Sequence, residues 1–256
     1  MADWFNTMLV GFDLETTGTD VENDVPVSYA FVNRTAEGRS HAGSLINPGR
    51  AIPEAAIAVH GITNERAKAE GASLDDAIGI ITHKLWIASD NGSPIVGMNV
   101  GFDLKMIDAC SRRTTGLSLA DGGFNGPVLD ILVIDRHYDR YRKGGRKLVD
   151  LCAHYGVDVD NDLHDARADV EATLAVFMQQ VLRYKELDNL DLDTLYKAQA
   201  QWHREWAEGF SSYLVSKGKD PLTPAQMDWP LTRSNGSGTS AREAGVEAIQ
   251  RRQLHI

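Results

Sequence analysis

Apolar and polar positions along the chain mark out strands first and helices afterwards. Met8-Leu9-Val10-Gly11-Phe12 is a continuous apolar run and reads as a buried strand. Residues 26–32 read as a second strand and residues 41–46 as a third, closed by Asn47-Pro48-Gly49. The polar turns at 19–24 and 35–38 are short, which implies an antiparallel meander. Pro53 opens a helix over 54–59, as proline does at a first helical position. His60-Gly61-Ile62-Thr63 breaks it, and residues 63–66 start another. Residues 74–88 form a further helix, with Ile78, Ile81, Leu85 and Ala88 on one stripe.

Residues 94–97 read as a fourth strand, followed by a helix over 101–113 with Phe102, Met106 and Ile107 facing in. Residues 115–126 carry Gly, Ser and Asp and read as a loop. Residues 128–130 form a fifth strand running into a helix that ends near Tyr141. A helix over 147–155 is stopped by Gly156, and a long one covers 165–184. A meander followed by alternating strands and helices predicts an α/β fold: a mixed five-stranded sheet flanked by helices. Beyond residue 185, Leu195, Trp202, Trp206, Phe210 and Tyr213 recur at helical spacing. This stripe is expected to pack back on the preceding domain, with a partner-docking face as the alternative. Residues 221–230 read as irregular, anchored by Trp229; residues 234–240 have a linker composition, and a short helix is expected over 241–252. The division is therefore a main domain over 1–185, a helical extension over 186–232 and a linker with tail over 233–256.

Composition narrows the function classes. The net charge of −10 argues against a wide electrostatic footprint on duplex DNA, while leaving room for a local basic strip. The densest such strip is 136–147, where two tyrosines interleave with Arg and Lys and could track a single strand. The two cysteines, Cys110 and Cys152, form no C-x-x-C pair, so a reducing cytoplasm is expected, without thiolate metal sites or disulfides. No apolar run reaches membrane-spanning length and no signal-peptide pattern opens the sequence, so no membrane partner is expected.

The candidate chemistry begins at the end of the first strand. Asp13 and Glu15 stand two residues apart, which puts both carboxylates on one face. Like charges side by side in a buried place need a positive partner, and a divalent ion with oxygen ligands supplies one. Asp103 falls in the first turn of the helix after the fourth strand, preceded by Asn99 and Phe102. Asp169 falls in the long helix, with His164 five residues earlier. On one helix those two side chains would point about 140° apart, so His164 is placed ahead of the helix on a loop.

These residues fall into three ordered motifs: Asp13-Leu14-Glu15-Thr16-Thr17-Gly18, Asn99-Val100-Gly101-Phe102-Asp103 and His164-Asp165-Ala166-Arg167-Ala168-Asp169. In this the sequence resembles the DEDDh 3′→5′ exonucleases, the family of the proofreading subunit of bacterial DNA polymerase III. The H-x4-D spacing of the third motif marks the histidine branch, and His60-Gly61-Ile62-Thr63 resembles a further family segment. Met98 departs from the histidine many members carry there. The likeness covers about residues 7–185.

The resemblance implies a ribonuclease-H-like fold and two-metal phosphodiester hydrolysis that releases nucleoside 5′-monophosphates from a 3′ end. It implies that Asp13, Glu15, Asp103 and Asp169 hold two Mg²⁺ or Mn²⁺ ions, with His164 as general base. Thr16, Thr17, His60, Asn99 and Phe102 would contact the substrate. The expected substrate is single-stranded DNA; short RNA is the alternative, and a non-catalytic polymerase-associated subunit is a third reading. A DNA polymerase is an implied partner. A sliding clamp is another, from the loose likeness of Gln253-Leu254-His255-Ile256 to clamp-binding peptides.

Overall fold

The computed structural model describes residues 7–159 and 166–231. Strand β1 (Leu9–Thr16) is central: it pairs antiparallel with β2 (Pro26–Arg34) and parallel with β5 (Ile95–Gly97). β3 (Arg39–Asn47) completes the meander, and β6 (Val128–Asp130) pairs parallel with β5. A two-residue strand, β4 (Ala72–Ser73), pairs with the end of β3. The sheet is therefore six-stranded, in the order β4-β3-β2-β1-β5-β6, where the hydropathy pattern predicts five strands. Two residues between helices are too short to leave a period-2 signature.

Alternation along β1 assigns its faces. Val10, Phe12 and Leu14 point into one core layer with Ile78, Ile81 and Leu85 of α3 (Leu74–Asp90) and Leu104 and Ile107 of α4 (Val100–Thr115). Leu9 points into the other layer, with Val170, Leu174 and Phe177 of α7 (Ala166–Arg183) and Ile131 and Ile134 of α5 (Ile131–Tyr138). Asp13 and Glu15 share that second face, so their carboxylates emerge on the α7 side. Gly11 lies between: a Cβ there would sit 2.4 Å from Val170 Cγ1 and 3.0 Å from Leu174 Cδ1. The missing side chain lets α7 lie close against β1.

The smaller helices follow local signals. α1 (Glu54–His60) ends at Gly61, which adopts the left-handed φ of 71° that glycine takes at no steric cost. α2 (Asn64–Glu70) starts on Thr63, whose hydroxyl accepts from the Arg66 amide at 3.2 Å. α6 (Leu148–Tyr155) ends at Gly156 as expected. α5 stops at Tyr138 rather than near Tyr141, because Arg142 and Arg146 fold back onto the fully buried Asp135. This also redraws the basic strip: Arg136 lies 3.6 Å from the Trp206 ring centroid, so three of its arginines are engaged within the protein.

After α8 (Lys185–Asp188) comes α9 (Leu192–Ser216), 25 residues long. Its first half packs back on the sheet, as expected. Leu195 and Gln199 are fully buried, and the Gln199 amide bonds the outer edge of β6. Its Oε1 accepts from the Asp130 N–H at 2.8 Å, and its Nε2 donates to the Val128 carbonyl at 3.2 Å. One side chain thus takes the place of a neighbouring strand on an otherwise open edge. The segment read as irregular contains a one-turn helix, α10 (Pro224–Met227), capped by Thr223 and Gln226. Trp229 is buried and anchors it. The linker and helix expected over 234–252 lie outside the described residues. No helix among the described residues is long and apolar enough to cross a membrane.

Candidate active site

β1 carries Asp13 and Glu15 to its C-terminal end, and a register shift between Glu15 and Thr16 bends the chain there. α7 approaches from the same side and presents Asp169 in its first turn. Oxygen atoms of Asp13, Glu15 and Asp169 lie within 4.8 Å of one another. Asp103, in the first turn of α4, is 4% exposed and stands outside that group of three, but close enough to act on it electrically.

Two of the carboxylates, Asp13 and Asp103, carry a clear electrostatic cost for their charge. Burial pushes the Asp13 carboxyl well above the usual range, and the charges of Asp103, Glu15 and Asp169 push it further. Asp103 is raised by the same burial and by the charges of Asp130 and Glu15, against the lowering effect of backbone amides. Concentrated hard-oxygen donors with excess negative charge in an enclosed site suit a divalent cation. The residues present therefore fit the metal ions the fold implies.

Of the predicted substrate contacts, His60 lines one opening with Glu15, while Asn99 and Phe102 line another, between α4 and the C-terminal helices. Asn99 is the one described non-glycine residue with positive φ, 56°, a conformation asparagine tolerates. Its N–H donates to Asp130 Oδ1 at 2.9 Å, and that same oxygen accepts from the Leu132 amide at 2.9 Å as the cap of α5. Trp229 Nε1 donates to the other oxygen at 3.5 Å. Asp130 thus holds the backbone bend that leads into Phe102 and Asp103. Sequence reasoning placed Asp130 at the end of a strand and missed this role; an Asp between a strand and a helix signals a cap, but not a second client across the sheet. Phe102 packs at the rim of the α3/α4 core.

His60 is 8% exposed, and its Nδ1 accepts from the Ile62 amide at 3.0 Å, which leaves the proton on Nε2. That nitrogen is buried with the Thr16 backbone for a near neighbour, short of a full hydrogen bond. Burial lowers the His60 pKa and the Thr16 backbone opposes it. The Thr16 hydroxyl donates to the Gly18 carbonyl at 2.7 Å. Thr17 is buried, donating to Asp24 Oδ1 at 2.8 Å and accepting from the Val25 amide at 3.1 Å. Both hydroxyls shape the turn after β1. His164 lies outside the described residues.

A family model described as an exonuclease, RNase_T, matches residues 10–177, which include all four carboxylates. The chain belongs to the RNase_T exonuclease family. It is 33% identical over 176 residues to a DNA polymerase III subunit epsilon-like protein of Rhodobacter capsulatus, covering 66% of this chain and 23% of that one. It is 28% identical over 196 residues to the PolC-type DNA polymerase III of Staphylococcus aureus, covering 73% of this chain and 12% of that one. The chain therefore spans less than a quarter of the length of these relatives. Among solved structures, exonuclease I shares the fold, with a TM-score of 0.60 and 23% identity over 74% of this chain and 43% of the other. Exonuclease I of Methylocaldum szegediense gives 0.59 and 22%, over 71% and 42%. The expected exonuclease membership and mixed α/β fold are borne out.

Proposed function

We propose that this RNase_T family member is a DEDDh-type 3′→5′ exonuclease that hydrolyses DNA from its 3′ ends and releases nucleoside 5′-monophosphates. The observation that carries the reading is the convergence of Asp13, Glu15 and Asp169 within 4.8 Å, with buried Asp103 adding its charge. These four residues would hold two Mg²⁺ or Mn²⁺ ions. Bound ions of this kind lower the pKa of an attacking water and offset the charge that builds on a departing 3′ oxygen. His164 would accept the proton from the water as general base. Asn99, Thr16, Thr17, His60 and Phe102 would orient the terminal nucleotide, Asn99 through the backbone bend that Asp130 holds. An exonuclease I structure solved with single-stranded DNA and one solved with a dA16 oligonucleotide favour a single strand as substrate.

The test is digestion of labelled single-stranded DNA, paired DNA and short RNA side by side, with Mg²⁺ and with Mn²⁺. Faster release of mononucleotides from the 3′ end of single-stranded DNA supports the reading. Preference for short RNA would move it to the oligoribonuclease-like alternative, and no hydrolysis of any of the three would leave a polymerase-associated binding subunit. The polymerase III relatives support association with a DNA polymerase. A sliding clamp contact through Gln253, Leu254 and Ile256 is tested by deleting 234–256, which should abolish clamp binding and leave hydrolysis of free oligonucleotides intact.

A further inference from the structure

The C-terminal extension is tied to the start of α4, where the second motif lies. Lys105 Nζ donates to the Ala225 and Asp228 carbonyls at 2.8 and 2.6 Å. Lys105 follows Asp103 by two residues, so the chain over 224–230 is fastened beside the first turns of that helix. The exonuclease match ends at residue 177, and the fastening is built by residues outside it.

Trp229 is the side chain that this arrangement delivers, and it meets the 99–103 segment in two ways. Its Nε1 donates to Asp130 Oδ2 at 3.5 Å, and Asp130 Oδ1 accepts from the Asn99 amide at 2.9 Å. Its indole edge also lies on Gly101: a Cβ there would be 3.0 Å from Trp229 Cδ1 and 3.4 Å from Nε1 and from the Pro230 carbonyl oxygen. Glycine at 101 lets the ring approach the backbone midway between Asn99 and Asp103. Tyr196 of α9 packs against the indole, with ring centroids 5.8 Å apart. Asn99 is the N-cap of α4 in a left-handed conformation, φ 56°, which persists where the surroundings hold it. The direction of the first turn of α4, and with it the Asp103 carboxylate, follows from that bend.

We propose that Trp229 is a positioning residue for the candidate active site: through Asp130 and Gly101 it fixes the Asn99–Asp103 segment and so the place of the Asp103 carboxylate. The C-terminal extension is then part of the active centre rather than an appendage to it. The proposal rests on the exonuclease reading for the reaction, and two of its three readouts are independent of hydrolysis. The full chain is compared with Trp229→Phe, which keeps a ring and removes the N–H, and with Trp229→Ala, which removes both contacts. Hydrogen exchange followed by mass spectrometry reads the protection of amides 99–103 without metal. Calorimetry reads the affinity for Mn²⁺. Steady-state hydrolysis of a single-stranded oligonucleotide separates kcat from KM. Leu187→Ala, at a fully buried position of α8 in the other core layer, is the control for lost stability.

Trp229→Phe should lower kcat about threefold to tenfold, the scale of one ordinary hydrogen bond. Trp229→Ala should lower it about a hundredfold, the cost of a small misplacement at the reacting centre. Both should speed exchange at 99–103 and weaken Mn²⁺ binding, the alanine variant more, with a smaller change in KM than in kcat. Leu187→Ala should melt earlier yet keep the kcat, Mn²⁺ affinity and 99–103 protection of the wild type. If Trp229→Ala does not fold, Trp229→Phe decides by the same readouts. Unchanged exchange and Mn²⁺ affinity in the folded Trp229 variants, or equal losses in Leu187→Ala, would overturn the proposal. Faster exchange and weaker Mn²⁺ binding in the variants of a chain whose wild type hydrolyses nothing would defeat the exonuclease reading and leave the positioning role standing.

Discussion

Gln199 is a side chain whose loss should reach both stability and activity. Its amide is the partner of two buried backbone groups on the sheet edge, the Asp130 N–H and the Val128 carbonyl. Gln199→Ala removes both hydrogen bonds at a position with no exposed surface, so water has no direct way to replace them. An orphaned buried polar group costs about 1–3 kcal/mol, which gives roughly 2–6 kcal/mol for the pair. Against a typical total of about 5–15 kcal/mol, that is a large fraction. The assay is urea unfolding monitored by tryptophan fluorescence, with m compared so that a drop in midpoint can be read as stability. Gln201→Ala, on the exposed face of the same helix, is the control and should stay within about 0.5 kcal/mol. The folded fraction of Gln199→Ala should also lose activity, because the Asp130 amide it releases belongs to the residue that holds Asn99. A loss below about 1 kcal/mol would refute the reasoning, since it would mean the edge is satisfied without the glutamine.

Other outcomes follow from the same structure. Asp13→Asn should abolish hydrolysis yet leave the metal-free fold equally or more stable, as measured by thermal melts in chelator. Mg²⁺ at about 100 times its dissociation constant should stabilise the wild-type protein by about 2.7 kcal/mol and the variant much less, in the same melts. Because Asp13 and Asp103 bind protons more tightly folded than unfolded, metal-free stability should fall as pH rises from the ordinary carboxylate range through their raised pKa values. Asp13→Asn should blunt that slope in a pH series of chelator melts; an unchanged slope would count against burial of the charge. His164→Ala should slow hydrolysis by about 10²–10⁴-fold while calorimetry still finds its metal ions bound. Asp135→Ala removes the buried carboxylate that Arg142 and Arg146 share and should cost up to about 3–5 kcal/mol in urea unfolding, less to the extent that their bonds to Asp139 and to backbone carbonyls hold them.

Much of this was legible in the sequence because strands and helices announce themselves by period. β6 was placed to the residue and β2 and β5 nearly so, since each is a buried run bounded by turn residues, while the apolar run of β1 ends four residues before the strand does because its last half carries the acids. The three motifs were legible through their resemblance to a known family, since each acid alone also had a bland reading; among the described residues the structure brings Asp13, Glu15 and Asp169 together. What was not legible depends on contacts between distant segments. β4 is too short to carry a period. The basic strip was read as able to track a single strand, but Asp135 and Trp206 draw three of its arginines inward. Asp130 and Gln199 are 69 residues apart, and neither carries a local sign of the other.

The position of Gly11 has a consequence for how precisely the acids can be spaced. Asp13 and Glu15 ride on a strand and Asp169 on a helix, so their separation is the gap between two backbone layers. That gap is gauged by an absent methyl group: Val170 occupies the place a Cβ of Gly11 would need, and a β-branched side chain has little rotameric freedom to yield it. Adding one carbon would push on the first turn of the helix and widen the distance between the Asp13, Glu15 and Asp169 oxygens. A census of functional groups passes over this residue, because it offers none, yet the spacing of the carboxylates is set there.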